Sequence, residues 1–174
     1  MQVVVPMSGF GERSRRAGYT VPKPLVHLEG QAIIEHVVEM FPGQEDFVFI
    51  CNREHLDEPD WQLETVLRRA APRCRIVAIE PHRRGPVHAV LAAADLIDDR
   101  GPVVVNYCDF TCFWDWQWFR RFTVESGCAG AIPAYRGFHP HSLGTTNYAY
   151  LRESNGWATD IREKEPFTDD RMLE

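Results

Sequence analysis

No stretch of this chain approaches the roughly 20 consecutive apolar residues that a membrane-spanning helix requires, and the amino terminus lacks the basic and apolar segments of an export signal. A cytoplasmic protein without membrane contact is therefore expected. Positive charge is also short: 19 Lys and Arg stand against 25 Asp and Glu, a formal net of -6, which argues against a general nucleic-acid partner. Cysteine is scarce and odd in number. The five, Cys51, Cys74, Cys108, Cys112 and Cys128, make no disulfide framework in a chain of this size. Only Cys108 and Cys112 lie close together, and without a second Cys or His pair at zinc-finger spacing they are expected to be reduced and metal-free. Repeats, linkers and low-complexity tracts are missing as well.

What remains is a globular balance, 44% hydrophobic and 25% charged over 174 residues, ample for a substantial core in one domain. Short apolar runs bounded by polar residues recur at Gln2 to Pro6, Asp46 to Cys51, Cys74 to Ile79 and Pro102 to Tyr107, as expected of buried parallel strands. Between them, Ala32 to Met40, Trp61 to Ala71 and Val87 to Ile97 carry apolar residues at helical spacing. This alternation predicts an α/β fold, a three-layer α/β/α sandwich around a mostly parallel sheet. Farther along, a short aromatic helix is expected over Trp116 to Val124, a strand over Ala129 to Tyr135, and a hairpin whose Asn155-Gly156 turn joins Tyr148–Leu151 to Trp157–Glu163. Ligands of such sheets sit beyond the carboxyl ends of the strands, so the polar loops there are where function is sought.

The first of these loops reads Met7-Ser8-Gly9-Phe10-Gly11-Glu12-Arg13, and Pro22-Lys23-Pro24 follows soon after. Glycines after a strand let backbone N–H groups approach a phosphate, and Arg13 and Lys23 can supply charge to a polyphosphate. The spacing is not that of a Walker loop, and Ser14 stands where a dinucleotide fingerprint places its third glycine. Asn52 likewise replaces the acidic residue that an NAD site would use after the second strand. At the end of the fourth strand, Asp109 is placed to hold Mg²⁺ on phosphate oxygens, or alternatively to cap the helix that follows. Position 111 is Thr, which speaks against the Asp-x-Asp of a glycosyltransferase.

These motifs, Gly9-x-Gly11-x-Arg13 and then Pro22-Lys23-Pro24, resemble the sugar-nucleotide pyrophosphorylases, nucleotidyltransferases of the nucleotide-diphospho-sugar transferase, GT-A-type fold. The resemblance implies that Ser8, Gly9, Phe10, Gly11 and Glu12 wrap the triphosphate, that Arg13 steadies the leaving pyrophosphate and that Lys23 contacts the reacting phosphates. Glu80 and Gly85 fall in the stretch that holds the nucleobase. A carboxylate only accepts hydrogen bonds, so Glu80 would favour the amino edge of cytosine, and hence CTP over UTP or dTTP. The plainer alternative makes Glu80 a surface partner of Arg83 or Arg84. Asp109 agrees with the family's metal-binding aspartate, although Cys108 replaces the usual glycine before it. Glu163 and Lys164 resemble the element that takes the acceptor's hydroxyls and phosphate, with an exposed charge run as the alternative.

Two histidines, His139 and His141, are placed to line the acceptor pocket, while Phe113, Trp114, Trp116, Trp118 and Phe119 read as packing residues. The expected reaction is attack of a phosphorylated acceptor, such as a sugar phosphate, on an NTP, releasing pyrophosphate, with Mg²⁺ as cofactor and surface polysaccharide precursors as the products. Family members run well past 200 residues, so the chain is expected to be a single nucleotidyltransferase domain, 1–174, lacking the carboxyl-terminal strands; Asp169 and Asp170 are conceivable stand-ins for a second metal ligand. A nucleotide-binding module of the same fold without turnover is the second reading. A homo-oligomer is compatible with the exposed tryptophans.

Overall fold

Val3, Val4 and Val5 have no exposed surface, because the strand that carries them, β1 (Gln2–Met7), is flanked on both edges and covered on both faces. The computed structural model describes residues 1–98, 100–137, 144 and 148–169. It divides into two compact units, Met1–Ser126 and Gly127–Glu174.

In the first unit, β1 pairs in parallel with β4 (Phe47–Asn52) on one side and β6 (Val103–Val105) on the other, and β5 (Arg75–Ile79) extends the sheet beyond β4. The order β5-β4-β1-β6 realises the expected parallel sheet. Side chains alternate across it: Val4, Val48 and Ile50 meet Ala89 on α5 (Pro86–Leu91) and Ala93 just beyond it, whereas Phe47 packs against Phe41, which lies edge-on to Trp116. Burying each such side chain contributes roughly 1.5–3 kcal/mol. Helices α2 (Ile33–Glu39) and α4 (Leu63–Ala70) turn their apolar positions inward, burying Ile34, Val37, Leu63 and Leu67. An ion pair from Arg69 to Glu35, 2.9 Å, joins the two helices.

Several elements depart from expectation. The charged run Glu12–Arg16 forms a short helix, α1, although it has no apolar periodicity, and Arg53–Asp57 forms another, α3, because the Asn52 side chain accepts the Glu54 N–H at 2.9 Å. Two-residue strands β2 (His27–Leu28) and β3 (Gln31–Ala32) close the turn at Glu29 and Gly30. The helix expected over 87–97 ends early and continues as a 3₁₀ turn, Ala94–Leu96. In the aromatic region, α6 (Trp116–Glu125) is capped by Asp115, whose carboxylate accepts the Trp118 N–H at 2.7 Å. Trp114, Trp116 and Phe119 cluster with Phe41 as packing residues, while Phe113 and Trp118 are exposed.

The second unit carries the hairpin of β7 (Ala149–Ser154) and β8 (Trp157–Glu163), with Asn155 and Gly156 at φ 53° and 80° as an Asn-Gly turn requires. The expected strand over 129–135 does not form. Gly130 and Pro133 interrupt that run, glycine weakening a strand and proline withholding a ladder N–H. Among the described residues no helix is long and apolar enough to cross a membrane.

Candidate active site

The first three strands of the sheet are laid down in one direction, β1 to β4 to β5, and the chain then returns to place β6 on the other side of β1. The order therefore reverses between β1 and β6, and in open parallel sheets the crevice at that reversal is where ligands sit. The loops that leave β1 and β6 supply Lys23 and Asp109.

Lys23 is displayed by its neighbours. Pro22 and Pro24 are both buried, and the 3₁₀ turn Lys23–Leu25 begins between them, so the two fixed rings anchor the backbone and leave the lysine side chain half-exposed. Its Nζ forms an ion pair with Asp109 Oδ2, joining the two loops across the strand-order reversal. Asp109 does not cap α6, since Asp115 fills that position. Beside it, burial and the Asp109 carboxylate push the Cys108 thiol up to about 12, so this cysteine stays protonated near neutral pH. Cys51 is raised for the same principal reason, burial.

Around the β1 loop, Ser8 is buried and Gly9 exposed, and Gly11 adopts φ 63° at the start of α1. That left-handed backbone is one that glycine reaches without steric cost. Arg13 projects from α1 and is exposed, while Glu12 is ion-paired with Arg83 from the loop after β5. The Arg83 guanidinium also lies 5.1 Å from the Phe10 ring centroid. Gly85 takes φ 85° immediately before α5, where Pro86 occupies the first helical position. Glu80 is highly exposed at the carboxyl end of the sheet, but its partner is Arg53, at 2.6 Å, rather than Arg83 or Arg84. Two residues not anticipated from the sequence, His55 and Trp61, line a shallow pocket with Phe10, Gly11, Arg15 and Lys23. Burial lowers the His55 pKa, and its ring stands edge-on to Trp61 at 5.3 Å. Neither had a motif to announce it.

In the second unit, Glu163 ends β8 and Lys164 follows in a left-handed conformation, φ 60°, with its N–H donated to the Tyr148 carbonyl at 3.0 Å. The two side chains lie 3.7 Å apart as an exposed ion pair. A non-glycine residue held at positive φ carries strain that recurs at ligand-handling positions. His139, His141 and Asp170 lie outside the described residues, and Asp169 is exposed.

Residues 10–169 match the family profile described as the MobA-like NTP transferase domain. Over 152 residues the chain is 26% identical to the mannose-1-phosphate guanylyltransferase catalytic subunit beta of Danio rerio, an alignment covering 85% of this chain and 41% of that relative. The chain thus spans less than half the length of that curated relative. Among solved structures, a nucleoside-diphosphate-sugar pyrophosphorylase from Vibrio cholerae RC9 superposes with a TM-score of 0.66 at 21% identity, covering 97% of this chain and 69% of the other. A UDP-glucose pyrophosphorylase complexed with UDP-glucose gives 0.68 at 19% identity, covering 95% and 69%. At these identities the structures establish a shared fold.

Proposed function

Because this chain belongs to the MobA-like NTP transferase domain family, we propose that it is a nucleotidyltransferase that moves NMP from an NTP to a phosphorylated small-molecule acceptor such as a sugar phosphate. The observation that carries the reading is the Lys23–Asp109 pair, which sets a cation and an anion across the strand-order reversal where a nucleotide is expected. In the reaction an acceptor phosphate oxygen bonds to the α-phosphorus while the bond from that phosphorus to the bridging oxygen breaks, and pyrophosphate leaves with the electron pair. The acceptor phosphate is already an anion near neutral pH, so no general base is required of the protein. Its task is to position two anionic partners and offset their charge.

In this account the Ser8–Glu12 loop surrounds the triphosphate, Lys23 leaves Asp109 for the reacting phosphates, and Arg13 stabilises the departing pyrophosphate. Glu163 and Lys164 take the acceptor's hydroxyls and phosphate. Asp109 offers one hard oxygen ligand, and among the described residues no group of three His, Cys, Asp or Glu gathers to hold a metal. A lone carboxylate fits Mg²⁺, which takes most of its ligands from phosphate and water, and Mg²⁺ held there would offset charge on the phosphates. Both compact units form part of one transferase domain, 1–174.

CTP is the favoured donor. Glu80 lies at the exposed end of β5, just before Gly85, and its carboxylate accepts hydrogen bonds as cytosine N4 requires; Arg53, which also donates to it, sets its direction. The family association extends the reading to activated precursors of surface polysaccharides, handled in the cytoplasm. Pyrophosphate release should be measured with CTP, UTP, dTTP, ATP and GTP, each with Mg²⁺ and a panel of sugar phosphates. Release confined to one base and one acceptor class, and lost in Asp109→Ala, is the expected result. Nucleotide binding without release for any pair would support the binding module instead.

A further inference from the structure

Glu12 stands inside the loop proposed to receive a triphosphate, between Gly11 and Arg13. A carboxylate there repels an incoming polyphosphate by roughly 1 kcal/mol per charge at contact distance even in water. The fold supplies an answer from another loop. The Arg83 guanidinium, contributed by the segment between β5 and α5, is ion-paired with Glu12 and lies 5.1 Å from the Phe10 ring centroid. A glutamate is ionised at neutral pH, so this charge has to be masked, and the Arg83 guanidinium beside it holds the carboxyl below the usual carboxylate range. Phe10 and Glu12 flank Gly11, whose φ of 63° meets no neighbouring atom within 4 Å of an added Cβ. One guanidinium grips the residues on both sides of that turn.

We infer that Arg83 is a positioning residue for the nucleotide loop: it masks the Glu12 carboxylate and fixes Phe10, so that the loop accepts a triphosphate, without itself touching the ligand. The inference rests on the transferase reading above. It has a signature that a direct Arg–phosphate contact lacks. Removing Arg83 should hurt because Glu12 is then unmasked, so removing Glu12 as well should restore binding. The penalty should also grow with ligand charge, larger for CTP than for CMP, and shrink as salt screens it.

The test is calorimetric titration of the full chain with CTP, CMP, UTP and GTP in the presence of Mg²⁺ at low ionic strength, for wild type, Arg83→Ala, Glu12→Gln and the double variant, with circular dichroism confirming that each is folded. Arg83→Ala is expected to weaken triphosphate binding about fivefold to tenfold, the effect of one unmasked charge. Glu12→Gln should tighten it about threefold, and the double variant should return to within about threefold of wild type. A double variant as weak as Arg83→Ala would place the guanidinium on the nucleotide itself and overturn the inference, as would Arg83→Ala binding like wild type. If wild type binds none of the four nucleotides, the transferase reading falls and takes the inference with it.

Discussion

All six residues of β1 are buried, whereas all seven of β8 are exposed. The two strands show two ways of holding functional groups. β1 is fixed by parallel neighbours on both sides, so the loop that leaves it starts from a rigid point, and a lysine displayed between two buried prolines can meet an aspartate from the loop after β6. The β7–β8 hairpin holds itself through its Asn-Gly turn, its cross-strand ladder and the guanidinium groups of Arg152 and Arg162, each 4.4 Å from the Phe167 ring. Fixed geometry suits the phosphate chemistry proposed for the first unit, and an exposed ladder suits the polar-acceptor recognition proposed for Glu163 and Lys164.

The contrast can be broken by substitution. Phe49→Ala, which empties a fully buried position in β4, should cost about 3–5 kcal/mol and lower the thermal midpoint by on the order of 10 °C. Trp157→Ala, on the exposed ladder, should cost under about 1 kcal/mol; equal losses in thermal melts would erase the distinction. Lys23→Ala should slow pyrophosphate release about 100-fold, near 2.7 kcal/mol, while moving the midpoint by no more than about 2 °C, because an exposed ion pair stabilises little. Gly156→Ala forces a side chain into a backbone at φ 80° with open space around it, so its cost of about 1–2 kcal/mol is conformational. Hydrogen exchange should then quicken in β7 and β8 and remain unchanged in β1.

The smallest effect concerns acid. Glu35 has its pKa lowered, first by the hydrogen bond from Arg69, which links α4 to α2, and then, against the opposing desolvation, by the Ala32 N–H at the start of α2. A depressed folded-state pKa stabilises above the unfolded value, near 4.3, and that stability is lost as pH falls through the folded value. Glu35→Gln should therefore flatten the decline in stability below about pH 5 while leaving the acid response of the hairpin, where Gly156 and Arg136 lower the Glu153 pKa, as it was. Denaturant melts at stepped pH, read by hairpin hydrogen exchange as well as by far-UV signal, check both halves of that statement.

Much of this was legible in the sequence, for identifiable reasons. Strands buried on both faces leave uninterrupted apolar runs, and Asn-Gly leaves an unambiguous turn, so the four-strand sheet and the hairpin were both expected with nearly correct bounds. Lys23 and Asp109 drew notice because one sits between two prolines and the other follows an apolar strand, and the fold brings the two together. Helices α1 and α3 escaped because their start is set by a backbone conformation at Gly11 and a side-chain cap at Asn52, neither of which produces apolar periodicity. The run from Ala129 to Tyr135 misled because its apolar character outweighed the breaks at Gly130 and Pro133. Charge pairing was the least accessible feature. Glu80 meets Arg53 and Glu12 meets Arg83 only once the sheet has brought their loops together, and spacing along the chain carries no trace of either.

The central claim is that Lys23 and Asp109 mark a nucleotide site at the reversal between β1 and β6. Calorimetric titration of CTP into wild type and Asp109→Ala, each with and without Mg²⁺, tests it most directly. The account predicts Mg²⁺-dependent binding to wild type and loss of that dependence in the variant. Equal affinity and equal metal dependence in both proteins would contradict it.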